Sequence, residues 1–345
     1  MKRQIIIGFS LFTILLAGCE VQEADTYTNA YHSLEIGDYS TASSLFDKAL
    51  SEGANKKMVY RGEGMAFLGR NDYDNAIKSF ENALHESNGI IEDADIDISY
   101  YLAVAYFKAG NVAEAENIIE SVINLRPSQD TAYYLRGKIN LIKGNKEAAM
   151  SDYDKAIELN PGDYDKYIKI CEDLREYGYD SESNAYIEKA MSSGGKITAY
   201  RKGVFEYYLG SYTDARNDLE SARKTEKNEN LLLYLGKTYE ALGDAGYALS
   251  IYEEALAANP NNGKIYNELA LIKIDQKDYK GAIDIINLAL EQQDVEGMQN
   301  LLYNRIASYE YLYDFKTAES YMKEYLELYP DDAGAQREYK FLKTR

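Results

Sequence analysis

One short phrase is written nine times along this chain. Residues 37–50 read GDYSTASSLFDKAL, residues 72–84 read DYDNAIKSFENAL, residues 144–159 read GNKEAAMSDYDKAIEL and residues 243–256 read GDAGYALSIYEEAL. The small residue after the turn recurs at Ala42, Ala76, Ala115, Ala149, Ser183, Ala215, Ala248, Ala282 and Ala318, at intervals of 34, 39, 34, 34, 32, 33, 34 and 36. A period of this size constrains the fold more than any composition does. Each unit is too small to bury its own apolar face, so successive units must stack.

The pattern and its period resemble the tetratricopeptide repeat, a helix–turn–helix unit, over roughly residues 23–330. The resemblance implies an all-α, right-handed superhelical solenoid of about nine repeats. Its recurring residues have mechanical reasons. A second small position, in the first helix, holds Ala30, Gly64, Ala103, Gly137, Cys171, Gly203, Gly236 and Ala270. A third, late in the second helix, holds Ala49, Ala83, Ala156, Ala190, Ala222, Ala255 and Ala289. Small side chains let the axes approach, and larger ones would overpack the contact at about 1–3 kcal/mol. The turn takes Gly37, Gly110, Gly144, Gly178, Gly210 and Gly243, since glycine enters the left-handed conformation freely. Asn71, Lys277 and Tyr313 stand in its place in three repeats. Pro127, Pro161, Pro260 and Pro330 all fall near a repeat end, where each stops the second helix. The last repeat departs from the pattern, with Ile306 and Tyr325 at small positions. Residues 86–97 carry an insertion and predict a longer loop. Residues 331–345 read as an amphipathic capping helix, with Tyr339, Phe341 and Leu342 available to cover the last repeat.

The N-terminus is a separate text. Lys2 and Arg3 precede an apolar run from Ile5 to Leu16, followed by Ala17, Gly18 and Cys19. A basic start, a short apolar core and small residues make a secretory signal, too short to span a bilayer. LAGC resembles the lipobox of bacterial lipoproteins. It implies cleavage after residue 18, a diacylglyceryl group on the Cys19 thiol, and an exported protein anchored to a bacterial membrane on its extracytoplasmic face. Two acyl chains hold stably where one holds marginally. The alternative is an ordinary signal with an incidental cysteine. Residues 1–18 are then the signal, 19–22 a lipidated tether, 23–330 the solenoid and 331–345 the cap.

Cleavage would remove Lys2 and Arg3, so the 38 basic side chains fall to 36 against 57 acidic ones, and the formal charge goes from −19 to −21. Such a balance disfavours nucleic acid, whose binding needs lysine and arginine to neutralise phosphates. Catalytic and metal signatures are poor, so no enzyme activity, cofactor or metal is expected. Neither His32 nor His85 has a ligand partner at useful spacing. Gly236-Lys237-Thr238 lacks the earlier glycine of a phosphate loop, where Leu231 stands. Asp93, Asp95 and Asp97 alternate like the start of a calcium loop, but Ile98 and Val104 occupy its glycine and glutamate places. Cys171, at a helix-contact position, reads as a small buried residue.

Tyrosine is abundant, at 34 residues, and tryptophan is absent. Tyr60, Tyr133, Tyr167, Tyr266, Tyr153 and Tyr252 fall in the core phase of the repeat. Others do not. Carrying over the family's inner-groove positions gives Tyr27, Tyr31, Tyr100, Phe107, Tyr134, Tyr200, Tyr207, Tyr208, Tyr303 and Tyr311. Tyrosine supplies contact area with little ordering entropy, so these could bind a protein or peptide. The alternative is that they pack against neighbouring repeats. One family variant grips acidic C-terminal tails through lysine and asparagine at fixed groove positions. That pair is missing here, and Glu172, Glu176, Glu240 and Glu310 fall in the predicted groove. The resemblance implies a noncatalytic scaffold of the cell envelope that binds protein or peptide. The rivals are a lipoprotein that captures carbohydrate or a small ligand through groove tyrosines, and self-association into a homo-oligomer through the terminal repeats.

Overall fold

The structure is a computed structural model and describes residues 25–226, 230–292, 297–330 and 332–345. The signal segment and Cys19 lie outside the described residues. Nineteen helices and no strand occur among the described residues. The chain divides into two units, Met1–Ile139 and Asn140–Arg345. In the first, α1 (Thr26–Glu35) pairs with α2 (Tyr39–Ser51), α3 (Lys56–Gly69) with α4 (Tyr73–His85), and α5 (Asp93–Lys108) with α6 (Val112–Leu125). The boundary falls within α7 (Asp130–Ile142). The second unit continues with α8 (Lys146–Leu159). There α9 (Tyr164–Glu176) pairs with α10 (Asp180–Ser192), α11 (Ala199–Tyr208) with α12 (Tyr212–Thr225), and α13 (Leu231–Ala241) with α14 (Ala245–Ala258). The last pairs are α15 (Gly263–Asp275) with α16 (Tyr279–Leu290), and α17 (Met298–Tyr311) with α18 (Phe315–Leu328); α19 (Ala333–Leu342) packs on α18.

The repeat phase is visible in burial. All nine residues of the first small position, Ala42 through Ala318, are 0% exposed. A Cβ built on Gly64 would meet the Phe80 ring at 2.5 Å, and one on Gly203 would meet Leu219 Cγ at 2.6 Å. The second helix therefore presses a bulky side chain onto the first-helix backbone. The four prolines lie outside every helix, three of them between one repeat's second helix and the next repeat's first, and Pro330 between the last repeat and α19. In the last hairpin Ile306 and Tyr325 fill the small positions and stay buried, sharing a core with Met322, Ala335 and Leu342.

Each hairpin turn has one construction. Gly37 takes φ +77°, Leu34 O accepts its N–H, and Ser33 O accepts the N–H of Asp38 at 2.9 Å. This 6→1 bond closes the first helix. Asp38 then caps α2 by accepting from Thr41 N, as Asp72, Asp244, Asp278 and Asp314 do for their helices. Asn71, Lys277 and Tyr313 depart in residue type only. They take φ 58°, 62° and 61°, the same left-handed conformation.

The insertion forms the longer loop that the sequence predicts, residues 86–92 where α2 and α3 are joined by 52–55, and it runs into α5 at Asp93. The three alternating aspartates belong to its first turns. Asp95 receives the Lys57 ammonium at 2.6 Å and accepts from Glu92 N at 2.8 Å, while Asp97 accepts from Arg61 Nε at 2.5 Å. These carboxylates serve helix capping and cross-repeat pairing. Cys171 is buried with its Sγ 2.6 Å from Ser183 Oγ, and burial pushes its thiol pKa up, the opposite of nucleophile activation.

Candidate binding groove

First helices of successive repeats in the second unit line a groove of about 720 Å³, running across α9, α11, α13 and α15 to the start of α17. Its chemistry is mixed. Asp165, Glu172, Glu176 and Glu268 are matched by Lys169, Arg175, Lys237 and Lys264. Several of these charges are already committed. Arg201 of α11 forks onto Asp165 at 2.8 and 2.7 Å, and Lys237 meets Glu268 at 2.9 Å. Of the other acids expected in the groove, Glu240 accepts the buried Tyr252 hydroxyl from behind and does not line it.

At the centre lies a tyrosine cluster. Tyr208 of α11 and Tyr234 of α13 join hydroxyls at 2.8 Å. Both also reach Glu172 Oε1 of α9, Tyr208 at 3.4 Å and Tyr234 more closely. Three repeats are thus tied to one carboxylate. The Tyr207 ring lies 5.3 Å from Tyr208 and 5.9 Å from Tyr234, and Tyr200 lies 6.4 Å from Tyr234, all edge to face. Arg175 supports the cluster from behind. Its guanidinium sits 5.2 Å from the centre of the Tyr208 ring and donates to Tyr208 O at 2.7 Å and Asp180 Oδ1 at 2.9 Å. Burial pushes the Tyr200, Tyr208 and Tyr234 hydroxyls well above the ordinary tyrosine range, and that of Tyr207 up to about 12. These hydroxyls stay protonated at neutral pH, and those of Tyr208 and Tyr234 donate to Glu172.

The expected groove aromatics divide. Tyr200 and Tyr208 line this groove, whereas Tyr207 braces it through ring contacts. Tyr303 lines a smaller hollow between α15, α17 and α18. Tyr311 stacks on Tyr279 at 4.8 Å and 12°. Tyr100 and Phe107, in the first unit, pack half-buried against the core of α5 and α6, and Tyr134 on α7 is half-buried. Tyr27 and Tyr31 pack edge to face on Phe46. The sequence reading leaves out Tyr234. It stands two residues before Gly236, as the core residue Leu135 stands before Gly137, and its ring is only 4% exposed. Yet Lys169 and Glu268 stand at the same place before Cys171 and Ala270 and line the groove, so the repeat phase marks this position as groove-lining. No group of three or more His, Cys, Asp or Glu side chains is placed to hold a metal among the described residues.

Models of the tetratricopeptide repeat match residues 27–89, 67–139, 130–163 and 241–302. Among solved structures, yeast Tom70 superposes with a TM-score of 0.55 at 16% identity, over 92% of this chain and 80% of that one. A tetratricopeptide repeat protein from Parabacteroides merdae superposes with a TM-score of 0.49 at 14% identity, over 73% of this chain and 98% of that one.

Proposed function

Because the chain belongs to the tetratricopeptide repeat family, we propose that it is a noncatalytic scaffold whose second-unit groove takes a segment of a partner protein. Tetratricopeptide repeat proteins bind protein partners generally. One observation carries the reading for this groove: Glu172, Tyr208 and Tyr234 form a single hydrogen-bonded network across three repeats. A binding surface already fixed before its partner arrives loses less ordering entropy on binding. Mixed charge and aromatic rings suit a peptide that carries both polar and apolar side chains.

The tether is the second half of the proposal. The residues LAGC support lipidation of Cys19 and an address on the extracytoplasmic face of a bacterial membrane, with the scaffold at work in the cell envelope. Among the described residues no helix is long and apolar enough to cross a membrane. Replacing Cys19→Ala should move the protein out of the membrane fraction and end incorporation of labelled palmitate; unchanged labelling would refute the tether.

The groove reading is tested by a photo-crosslinking amino acid placed at the exposed groove position Lys169, with Glu253 on α14, also exposed but outside the groove, as the control. Crosslinks to a protein partner should form from position 169 and not from 253. Equal yields from both, or none from 169, would remove the groove from the proposal.

A further inference from the structure

Beside the groove, and sharing Asn267 and Asn300 with it, lies a second hollow of about 430 Å³. That volume falls in the range of small-ligand sites. Its composition is unusual for so acidic a chain. Four carboxamides line it, Asn267 from α15 and Gln299, Asn300 and Asn304 from α17. Asp332 is the one charged lining residue among the described residues, and it is already engaged. Its Oδ1 accepts from Gly334 N and Ala335 N at 2.9 Å each, and its Oδ2 accepts from the Tyr325 hydroxyl at 2.7 Å. Among the described residues no basic side chain lines the hollow to hold an anion.

A count of donors and acceptors shows what the site offers. Each carboxamide carries an acceptor oxygen and a two-proton donor nitrogen. Asn304 Nδ2 donates to Asn267 Oδ1 at 2.8 Å, and Gln299 Nε2 donates to the Tyr325 hydroxyl at 2.9 Å. Those two bonds fix three of the amides and leave Asn267 Nδ2, Asn304 Oδ1 and Gln299 Oε1 for a ligand, with both ends of the exposed Asn300 carboxamide. Tyr303 adds an aromatic surface. Its ring stands edge to face on Tyr325 at 5.8 Å and is 38% exposed.

We propose that this hollow is a subsite for a neutral sugar ring, with Tyr303 as the apolar platform and the carboxamides of Asn267, Asn300 and Asn304 as partners for its hydroxyls. Direction decides between a sugar and a peptide. An extended main chain presents its N–H and C=O groups along a line, about 3.3 Å per residue. Here the polar groups converge from α15 on one side and α17 on the other, around a pit that α18 and the start of α19 close. A sugar presents donors and acceptors around its whole rim and an apolar C–H face below, which matches that convergence. The proposal is independent of the peptide reading of the neighbouring groove.

The test uses the full chain in a sugar-free zwitterionic detergent, with chitotriose, cellotriose and maltotriose as probes and saturation-transfer NMR and calorimetry as readouts. At least one trisaccharide should bind, with transfer strongest on the C–H protons of one ring. Tyr303→Ala and Asn300→Ala should each weaken it by roughly tenfold, about the worth of one good contact, while Tyr208→Phe in the neighbouring groove leaves it unchanged. Asn300 is exposed, so its variant should fold normally, as the far-ultraviolet circular dichroism would show. No binding by any probe at about 10 mM, or unaltered binding by both variants, overturns the proposal. Binding of a neutral tetra-alanine peptide that Tyr303→Ala, which touches the hollow and not the groove, weakens would assign the hollow to a peptide and equally overturn it.

Discussion

At the residue scale, the hairpin turn is set by one backbone angle. Six turns use glycine for it, and Asn71, Lys277 and Tyr313 adopt it without glycine's freedom. The reason is the bond that follows. Asp278 N reaches Lys273 O at 2.8 Å, as Asp38 N reaches Ser33 O in a glycine turn, and Asp278 then caps α16. The left-handed conformation costs an L-residue about 1–2 kcal/mol, less for asparagine. Lys277 is exposed, so its replacement loses little packing. Lys277→Gly should therefore stabilise the chain by about 0.5–1 kcal/mol, after the added freedom of glycine in the unfolded chain is offset. Asn71→Gly should gain less. Urea denaturation followed by circular dichroism would compare them; a Lys277→Gly variant no more stable than the parent would mean the turn is unstrained. The sequence shows these three sites as departures, because residue type is visible in it and a backbone angle is not.

At the element scale, helix contacts were legible wherever they rest on small residues, and illegible where they rest on a polar tip. Ala42, Ala76 and their equivalents gave the packing phase in advance. Tyr234 was legible in the repeat phase, since Lys169 and Glu268 hold the same groove position before Cys171 and Ala270; what the sequence does not show is its burial among the rings of Tyr207 and Tyr208. Ion pairs between neighbouring repeats, such as Arg61 with Asp97 and Arg201 with Asp165, sit among too many charges to be singled out beforehand. One carboxylate goes against the packing. Glu63 of α3 is 8% exposed, and burial, with the nearby Asp47 of α2 adding repulsion, raises its pKa to about 7. The sign follows from proton binding. Between the ordinary glutamate range and about pH 7 the folded chain holds a proton that the unfolded chain has lost, so this site's contribution to stability falls as pH rises through that window. Glu63→Gln should remove that fall. The variant should be more stable than the parent at pH 8 and close to it at pH 4.5, by thermal melting at both values. A gain of the same size at both would mean that Glu63 is ionised throughout.

At the scale of the whole molecule, the repeat period was fully legible and the division of the chain was not. Nine equal phrases give no hint of a boundary at residue 139 or 140, because each phrase carries the same apolar face. In a stack whose units touch only their neighbours, stability is a sum of local terms, and a fault stays near its site. Ala248 tests this. It is 0% exposed, in a core with Leu233, Tyr252, Ala255, Ile265 and Ile272. A leucine there has no room, and overpacking should cost about 1–3 kcal/mol. Hydrogen exchange read by mass spectrometry would show where that cost falls. Amides of α13, α14 and α15 should exchange faster in Ala248→Leu by a factor of about 5–150, the same energy expressed as a change in opening equilibrium. Amides of α1 to α6 should keep the parent rate. If they accelerate by the same factor, the chain opens as one cooperative body and the local account of its stability is wrong.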